Sequence, residues 1–569
     1  MAEESVYLQK PWLRSYEEGV PEFIEYEEVA MPDILDRTAS RFPDRKALIF
    51  EGYSLTFREL KEMVDRFAAC LSAFGVRQGE AVAILLPNLI PCVAAYYAVM
   101  KVGAVAVMNN PLYSDRELEY QFNDSGSKVL ITLDLLGNRM IELRPKTNIK
   151  QIVYTSIGDY LPFPKNILFP LVAKKKKMAA DVKTAPDVYR WKECLAKYAP
   201  NPPKVKVDFE DVAMYQYTGG TTGVSKGVML THANLSKQVQ QIDAWFPKLK
   251  KGEELMLGAL PFFHVFGLST AMNLSIHMGW GNVLVPRPQP GPLLEAIRKY
   301  RPTFAPLVPT MYIGMLNHPD VKKTDMTCLK GCFSGSAPLP VEVIRDFEAA
   351  TGAVIVEGFG LTETTPVTHV NPFAGGARKV GSIGVPISDT LARIVDLETG
   401  LKDMPVGEAG ELIIKGPQVM KGYLNMPEET AHVLRDGWCY TGDIGKMDED
   451  GYFYIVDRKK DMIISGGYNV YPRDIDEVFY ENPKVQEACA IGIPDPKRGE
   501  NIKVFVVLKE GETATAEELI AYCKKNLAVY KLPTEVEFCE ELPKSTVGKV
   551  LRKQLREEEL AKRKEKPQG

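Results

Sequence analysis

Apolar residues at helical spacing mark the first clear element. Leu60, Met63, Val64, Phe67, Leu71 and Phe74 follow a Thr56/Glu59 pair that fits a capping box, and Gly75 ends the run. This predicts an amphipathic helix. By contrast, "AVAILL" (81–86) and "GAVAVM" (103–108) are continuously apolar, one on each side of a second helical stretch. Strands covered on both faces have this pattern, so the alternation predicts parallel βαβ units in a large α/β domain.

The uncharged run from Ala81 to Met100 reaches the ~20 residues that a bilayer crossing requires, but Pro87, Asn88 and Pro91 interrupt it. A buried strand, a turn and a helix fit it better, and no transmembrane segment is expected. Near Asp457 the texture changes. "YIVDRKKDMIISGGYNVYPRDIDEVF" sets a charged cluster and a glycine pair between structured regions and has the character of a linker. Beyond it, "VFVVL" (504–508) predicts a strand, and Thr515 with Glu518 predicts a capped helix. The expected organisation is α/β: a large, multi-subdomain N-terminal domain (1–459) with mainly parallel sheets, then a small, mobile α+β C-terminal domain (460–569). No internal repeat is visible.

Residues 159–190, "DYLPFPKNILFPLVAKKKKMAADVKTAPDVYR", are the least regular part. One reading is a solvated insertion with a loose apolar patch. The other is a peripheral membrane anchor, in which Phe163, Ile167, Leu168 and Phe169 enter the interface and Lys174–Lys177 meet anionic headgroups.

Composition adds exclusions. At 569 residues, 45% hydrophobic and 25% charged, the chain is globular and too long for one core. A formal net charge of -4 provides no global attraction to nucleic acid, and no nucleic-acid partner is expected. The nine cysteines lack the paired spacing of a structural zinc site and read as reduced thiols. The acidic N-terminus has no apolar core of a secretory signal. A cytoplasmic protein is expected, with attachment to the inner face of the membrane under the anchor reading.

The chemistry gathers around "YTGGTTGVSKGVML" (217–230). Glycines let backbone N–H groups approach a ligand, threonines add hydroxyl donors and Lys226 adds a positive charge, a set suited to phosphate oxygens. A Walker A loop is excluded, because Ser225 precedes Lys226 and Gly227 follows it. "GFGLTET" (358–364), "GWCYTGDIG" (437–445), "DRKKDMIISGGYNVYP" (457–472) and "LPKSTVGKVLR" (542–552) accompany the loop, as do "PFFHVFGL" (261–268) and "GSIGVP" (381–386). In order and spacing these motifs resemble those of the adenylate-forming superfamily, which contains acyl-CoA synthetases, peptide-synthetase adenylation domains and luciferases. The similarity extends over nearly the whole chain. Two departures are small: Gly220 stands where many relatives have serine, and Ser225 where proline is commoner.

The resemblance implies a two-step reaction on a carboxylic acid, with ATP, Mg²⁺ and coenzyme A. Thr218, Gly219, Gly220, Thr221, Thr222, Gly223, Ser225 and Lys226 would surround the β- and γ-phosphates. Glu363 would hold Mg²⁺ with Thr221, and Thr362 would reach the α-phosphate. Gly335, Ser336 and Ala337, with Glu357, Gly358, Phe359 and Gly360, resemble the segments that sandwich adenine. Asp443, assisted by Arg458, would take both ribose hydroxyls. Lys549 would bring a charge to the carboxylate and α-phosphate, and Lys460 matches the hinge. Gly466 and Gly467, with Tyr468 and Asn469, would wall a pantetheine channel. The motif match would set His264 beside the acyl pocket, either as a core or gate residue or as a catalytic residue in acid–base work.

The N-terminal "KPWLRSYEEGVPEF", the run "DGWCYTGDIGKMDEDGYFYIVDRKKD" and "LPFPKNILFP" resemble bacterial long-chain fatty acyl-CoA synthetases. The expected substrates are therefore a medium- or long-chain fatty acid, ATP and CoA. Another carboxylic acid, an aryl acid included, and a carrier protein as acceptor in trans stay open, as does a homodimer.

Overall fold

A computed structural model describes residues 5–173, 178–218, 225–373, 377–465, 468–495, 498–545 and 548–565. By contact the chain divides into two units, one of Trp12–Leu391 and Lys415–Cys439, the other of Met1–Pro11, Ala392–Ile414 and Tyr440–Gly569.

The larger unit carries two mainly parallel sheets. In one, Val212–Thr218, Val105–Met108, Ala81–Leu85, Val129–Leu133, Gln151–Thr155 and Val188–Arg190 run parallel in that order. Lys226–Thr231 and then Gly422–Tyr423 extend its edge antiparallel. In the other, Val354–Gly360, Gly331–Ser334, Phe304–Leu307, Leu255–Gly258, Gly281–Leu284 and Lys46–Phe50 are parallel, with short antiparallel strands at both edges. Ala81–Leu85, Val105–Met108 and Val129–Leu133 are buried along their whole length, which is why their sequences do not alternate.

The expected first helix is Phe57–Ala73. Thr56 Oγ1 accepts from the Glu59 N–H at 3.2 Å, the Glu59 carboxylate accepts from the Thr56 N–H at 2.8 Å, and Leu60, Val64, Phe67 and Leu71 are buried. The uncharged run becomes the strand Ala81–Leu85 and the helix Ile90–Lys101, with Pro91 in its first turn. Among the described residues no helix is long and apolar enough to cross a membrane. All nine cysteines are free thiols.

Lys165–Ala173 is a helix, and near its start Phe163 (77%), Ile167 (61%) and Leu168 (53%) are exposed. Phe169 departs from the expectation: its ring lies so close to Gly158 that a Cβ there would meet it at 2.7 Å. Its ring packs against Gly158 and is half-buried, unlike those exposed neighbours. Lys174–Lys177 lie outside the described residues.

The smaller unit contains one sheet with Leu391–Val395, Gly410–Lys415, Trp438–Met447 and Phe453–Arg458, and a second with Tyr468–Val470, Ile463–Ser465, Gly499–Leu508, Val485–Asp495 and Glu535–Phe538. Ile475 and Phe479 of the helix Pro472–Tyr480 and Leu519 of Ala516–Asn526 pack on Val504 and Val506. The Thr515/Glu518 capping box forms as expected.

Candidate active site

In the larger unit the strands Val212–Thr218 and Lys226–Thr231 form an antiparallel hairpin whose last registered pair is Thr218 with Lys226. Ser225 Oγ donates to the Thr218 carbonyl at 2.7 Å and closes the base of the loop. Gly219, Gly220, Thr221, Thr222 and Gly223 lie outside the described residues. Gly227 has a packing reason: a Cβ there would stand 3.2 Å from the Tyr217 ring and 3.3 Å from Leu424. The ammonium of Lys226 pairs with Glu429 and lies 5.1 Å from the centre of the Tyr423 ring. The Tyr423 hydroxyl in turn donates to Glu363 Oε1 at 2.7 Å. Lys226 and Glu363, far apart in sequence, are thus brought together by one tyrosine.

The turn Thr362–Thr364 is held by its neighbours. Thr364 Oγ1 donates to the Pro366 carbonyl at 2.6 Å, and Thr365 Oγ1 donates to the Gln418 carbonyl at 2.6 Å. Thr364 and Thr365 are buried, whereas Thr362 and Glu363 stay half-exposed. Thr365 takes φ +69°, a conformation that costs a non-glycine residue about 1–3 kcal/mol and survives where its surroundings over-determine it. Glu363 offers one carboxylate, with one oxygen oriented by Tyr423. That donor set fits Mg²⁺, a hard ion that takes one or two protein oxygens and fills its shell with water and phosphate.

The expected adenine segments lie next to each other, with Ser334 registered against Glu357. A Cβ on Gly335 would press on the Phe266 ring, one on Gly358 on the Phe333 ring, and one on Gly360 on the Pro366 backbone, so the glycines permit close layering. Ser336 and Ala337 follow at the strand end, Ser336 with φ +71°. Phe359 is half-buried, its ring 6.1 Å from that of His369. Glu357 is a bracket: its two carboxylate oxygens accept from the N–H groups of Leu339 (3.3 Å) and Gly381 (3.0 Å). His264 Nδ1 accepts from the Phe266 N–H at 3.3 Å.

The smaller unit gathers a second group. Asp443 and Arg458 are cross-strand neighbours in the hairpin of Trp438–Met447 and Phe453–Arg458, with Arg458 Nε 3.2 Å from Asp443 Oδ1. The Asp443 side chain is only 4% exposed, and its Oδ2 has no hydrogen-bond donor among the described residues. A buried bare carboxylate oxygen is costly unless a ligand hydroxyl pairs with it. Lys549 lies in the same field. Its "GK" sits in a tight return: the Ser545 N–H donates to the Lys549 carbonyl at 2.8 Å, the Lys549 N–H to Ser545 Oγ at 3.2 Å, and Gly548 takes φ +75°. Burial first, then Arg458, pulls the Lys549 ammonium down to about 7, against the attraction of Asp443 and Asp461. Lys460 is exposed as a residue, and local desolvation followed by the nearby Arg458 shifts its ammonium downward. Gly466 and Gly467 lie outside the described residues.

A family model for AMP-binding enzymes matches residues 35–424, and one for the C-terminal domain of AMP-binding enzymes matches residues 474–549. The chain belongs to the AMP-binding enzyme family, and with it to the adenylate-forming superfamily that its motifs resemble. It is 48% identical to a long-chain-fatty-acid–CoA ligase of Bacillus subtilis (strain 168), over 97% of this chain and 98% of that one. It is 39% identical to a long-chain-fatty-acid–CoA ligase of Salmonella typhimurium, over 98% and 99%. Its fold is similar to that of ATP-bound MatB from Rhodopseudomonas palustris, with a TM-score of 0.81 at 28% identity over 93% of this chain and 99% of that one. The sequence pattern did not point to Tyr423, Glu429, Thr364 or Thr365. Of these, Thr364 closes the GFGLTET motif and Thr365 follows it, neither with a role assigned there; Tyr423 acts across a sheet edge that no local spacing reveals.

Proposed function

We propose that this chain converts a medium- or long-chain fatty acid to its CoA thioester. A carboxylate oxygen of the acid attacks the α-phosphorus of ATP, the bond to the bridging oxygen breaks, and acyl-adenylate and pyrophosphate form. The CoA sulfur then attacks the acyl carbon, AMP leaves with the electron pair, and the thiol proton passes to solvent. The observation that carries the proposal is the buried Asp443 carboxylate, paired with Arg458 and with one oxygen bare for ribose hydroxyls, and the Lys549 ammonium within the electrostatic field of both. Full-length similarity to long-chain-fatty-acid–CoA ligases supports the acid class.

Each residue has a task set by electrostatics. In the first step an anion approaches a polyanion, so Thr218, Ser225 and Lys226 at the loop base surround the outer phosphates, and Lys549 neutralises charge shared by the carboxylate and the α-phosphate. Glu363 would hold Mg²⁺ with Thr221, and the ion would supply charge neutralisation on the phosphate oxygens. Thr362 presents its hydroxyl to the α-phosphate, and Gly335–Ala337 with Gly358–Gly360 layer on the adenine. The second step requires Lys549 to withdraw. We place the hinge at Lys460, between domains 1–459 and 460–569, with Gly466 and Gly467 entering the thiol path after rotation.

A screen of the purified enzyme against acids of graded chain length and ring type, following AMP release with and without CoA, tests this. Release that is greatest with longer fatty acids and depends on CoA is expected. Preference for aryl acids would overturn the acid class, and release dependent only on a carrier protein would overturn the acceptor.

The exposed Phe163, Ile167 and Leu168 with Lys165, continuing in sequence into Lys174–Lys177, support peripheral contact with an anionic bilayer. Co-sedimentation with phosphatidylglycerol vesicles is expected, and the double variant Ile167→Asp/Leu168→Asp is expected to abolish it. Undiminished sedimentation of the variant would exclude this face.

A further inference from the structure

The stretch from Met420 to Thr430 carries no role in the sequence motifs, yet it is fastened to both phosphate-side groups. Gly422 and Tyr423 pair with Met229 and Val228, the Leu424 N–H donates to the Gly227 carbonyl at 2.8 Å, and the Met420 N–H donates to the Glu363 carbonyl at 2.8 Å. Thr430 Oγ1 accepts from the Tyr423 N–H at 2.9 Å and donates to the Met426 carbonyl at 2.9 Å, which fixes the start of the helix Pro427–Val433 next to the strand. This frame sets Glu429 against Lys226.

We infer that Glu429 is a resident counter-ion of Lys226, displaced by the polyphosphate of ATP and returning when pyrophosphate leaves. The inference rests on the reading of Lys226 as a phosphate ligand. Lys226 is largely buried, its side chain 15% exposed, and an ammonium in that position needs an anion. Glu429 is 43% exposed, so its carboxylate can turn into water at little cost. A triphosphate brings more charge than one carboxylate and more acceptor oxygens. Tyr423 keeps the ammonium in place during the exchange, because the ring face holds the cation while the hydroxyl is committed to Glu363. A carboxylate that competes for Lys226 weakens ATP binding, and it weakens the hold on pyrophosphate in the same way.

The test is calorimetric titration of ATP, and separately of pyrophosphate, into the full chain without fatty acid, so that no turnover occurs. Glu429→Gln keeps the shape and removes the charge; Glu429→Ala is a second variant, and the melting temperature checks that each is folded. Both are expected to lower the Kd of ATP and of pyrophosphate by roughly three- to tenfold. In a Lys226→Ala background the same changes are expected to have no effect. Unchanged or weaker ATP binding in both Glu429 variants would overturn the displacement model and make Glu429 a residue that positions the lysine. If Lys226→Ala alone leaves both affinities unchanged, the phosphate-loop reading fails instead, and the counter-ion role with it.

Discussion

Lys549 sits where its surroundings oppose its charge. Its ammonium titrates near 7 in the fold, against 10.5 for an ordinary lysine, with burial as the largest cause. A lysine with a lowered folded pKa destabilises the fold: the penalty is absent above about pH 10.5, grows as pH falls through the interval and levels off below about 7. Lys549→Met is therefore expected to raise Tm at pH 7, with a smaller gain at pH 10, while abolishing fatty-acid-dependent ATP–pyrophosphate exchange. A lower Tm at pH 7 in scanning calorimetry would contradict the burial argument. The same shift predicts proton uptake when ATP binds at pH 8, where the free lysine is mostly neutral, and little uptake at pH 6; titrations in buffers of different ionisation heat measure it. Asp443 sits opposite in character, with a bare carboxylate oxygen waiting for a donor. Hydrogen bonds to charged groups contribute about 1.5–3 kcal/mol, so Asp443→Asn should weaken ATP binding at least roughly tenfold. The loss should vanish with 2′,3′-dideoxy-ATP, which has no hydroxyls to offer.

At the scale of elements, local chemistry was largely visible in the sequence. The Thr56/Glu59 and Thr515/Glu518 boxes and the apolar strands are short-range patterns, and short-range patterns survive folding when the tertiary structure agrees with them. Removing the first box by Thr56→Ala should cost about 1 kcal/mol of stability, read as a lower denaturant midpoint without a change in activity per folded molecule. Phe169 shows where pattern stops. It shares an apolar run with Ile167 and Leu168, yet its ring rests on Gly158 while theirs reach water, because the helix has two faces and only packing decides which is covered. Tyr423 was invisible for a related reason: its partners Lys226 and Glu363 come from another strand and another turn.

For the whole molecule, the division by contact and the proposed hinge at Lys460 separate the chain at different places. A contact division groups what touches, whereas a hinge separates what turns. Arg552 touches Asp457 (3.5 Å), which precedes Lys460, and Asp461 (3.7 Å) and Asp476, which follow it. Those contacts tie the helix Arg552–Glu565, three residues after Lys549, to both sides of the proposed hinge. Proline at 460 would fix φ and restrict the rotation. Lys460→Pro is therefore expected to keep most ATP–pyrophosphate exchange but lose thioester formation from supplied acyl-adenylate, each half followed separately; equal loss of both would place the hinge elsewhere.

The sequence by itself determined the periodicities, the caps and the run of motifs that sets the superfamily, since all of these are encoded within a few residues of one another. Only the tertiary structure decided that the Asp443 carboxylate keeps a bare oxygen, that Lys549 is driven toward neutrality and that Glu429 occupies Lys226. Burial and charge pairing depend on neighbours contributed by distant segments, and a linear chain does not contain those distances until it folds.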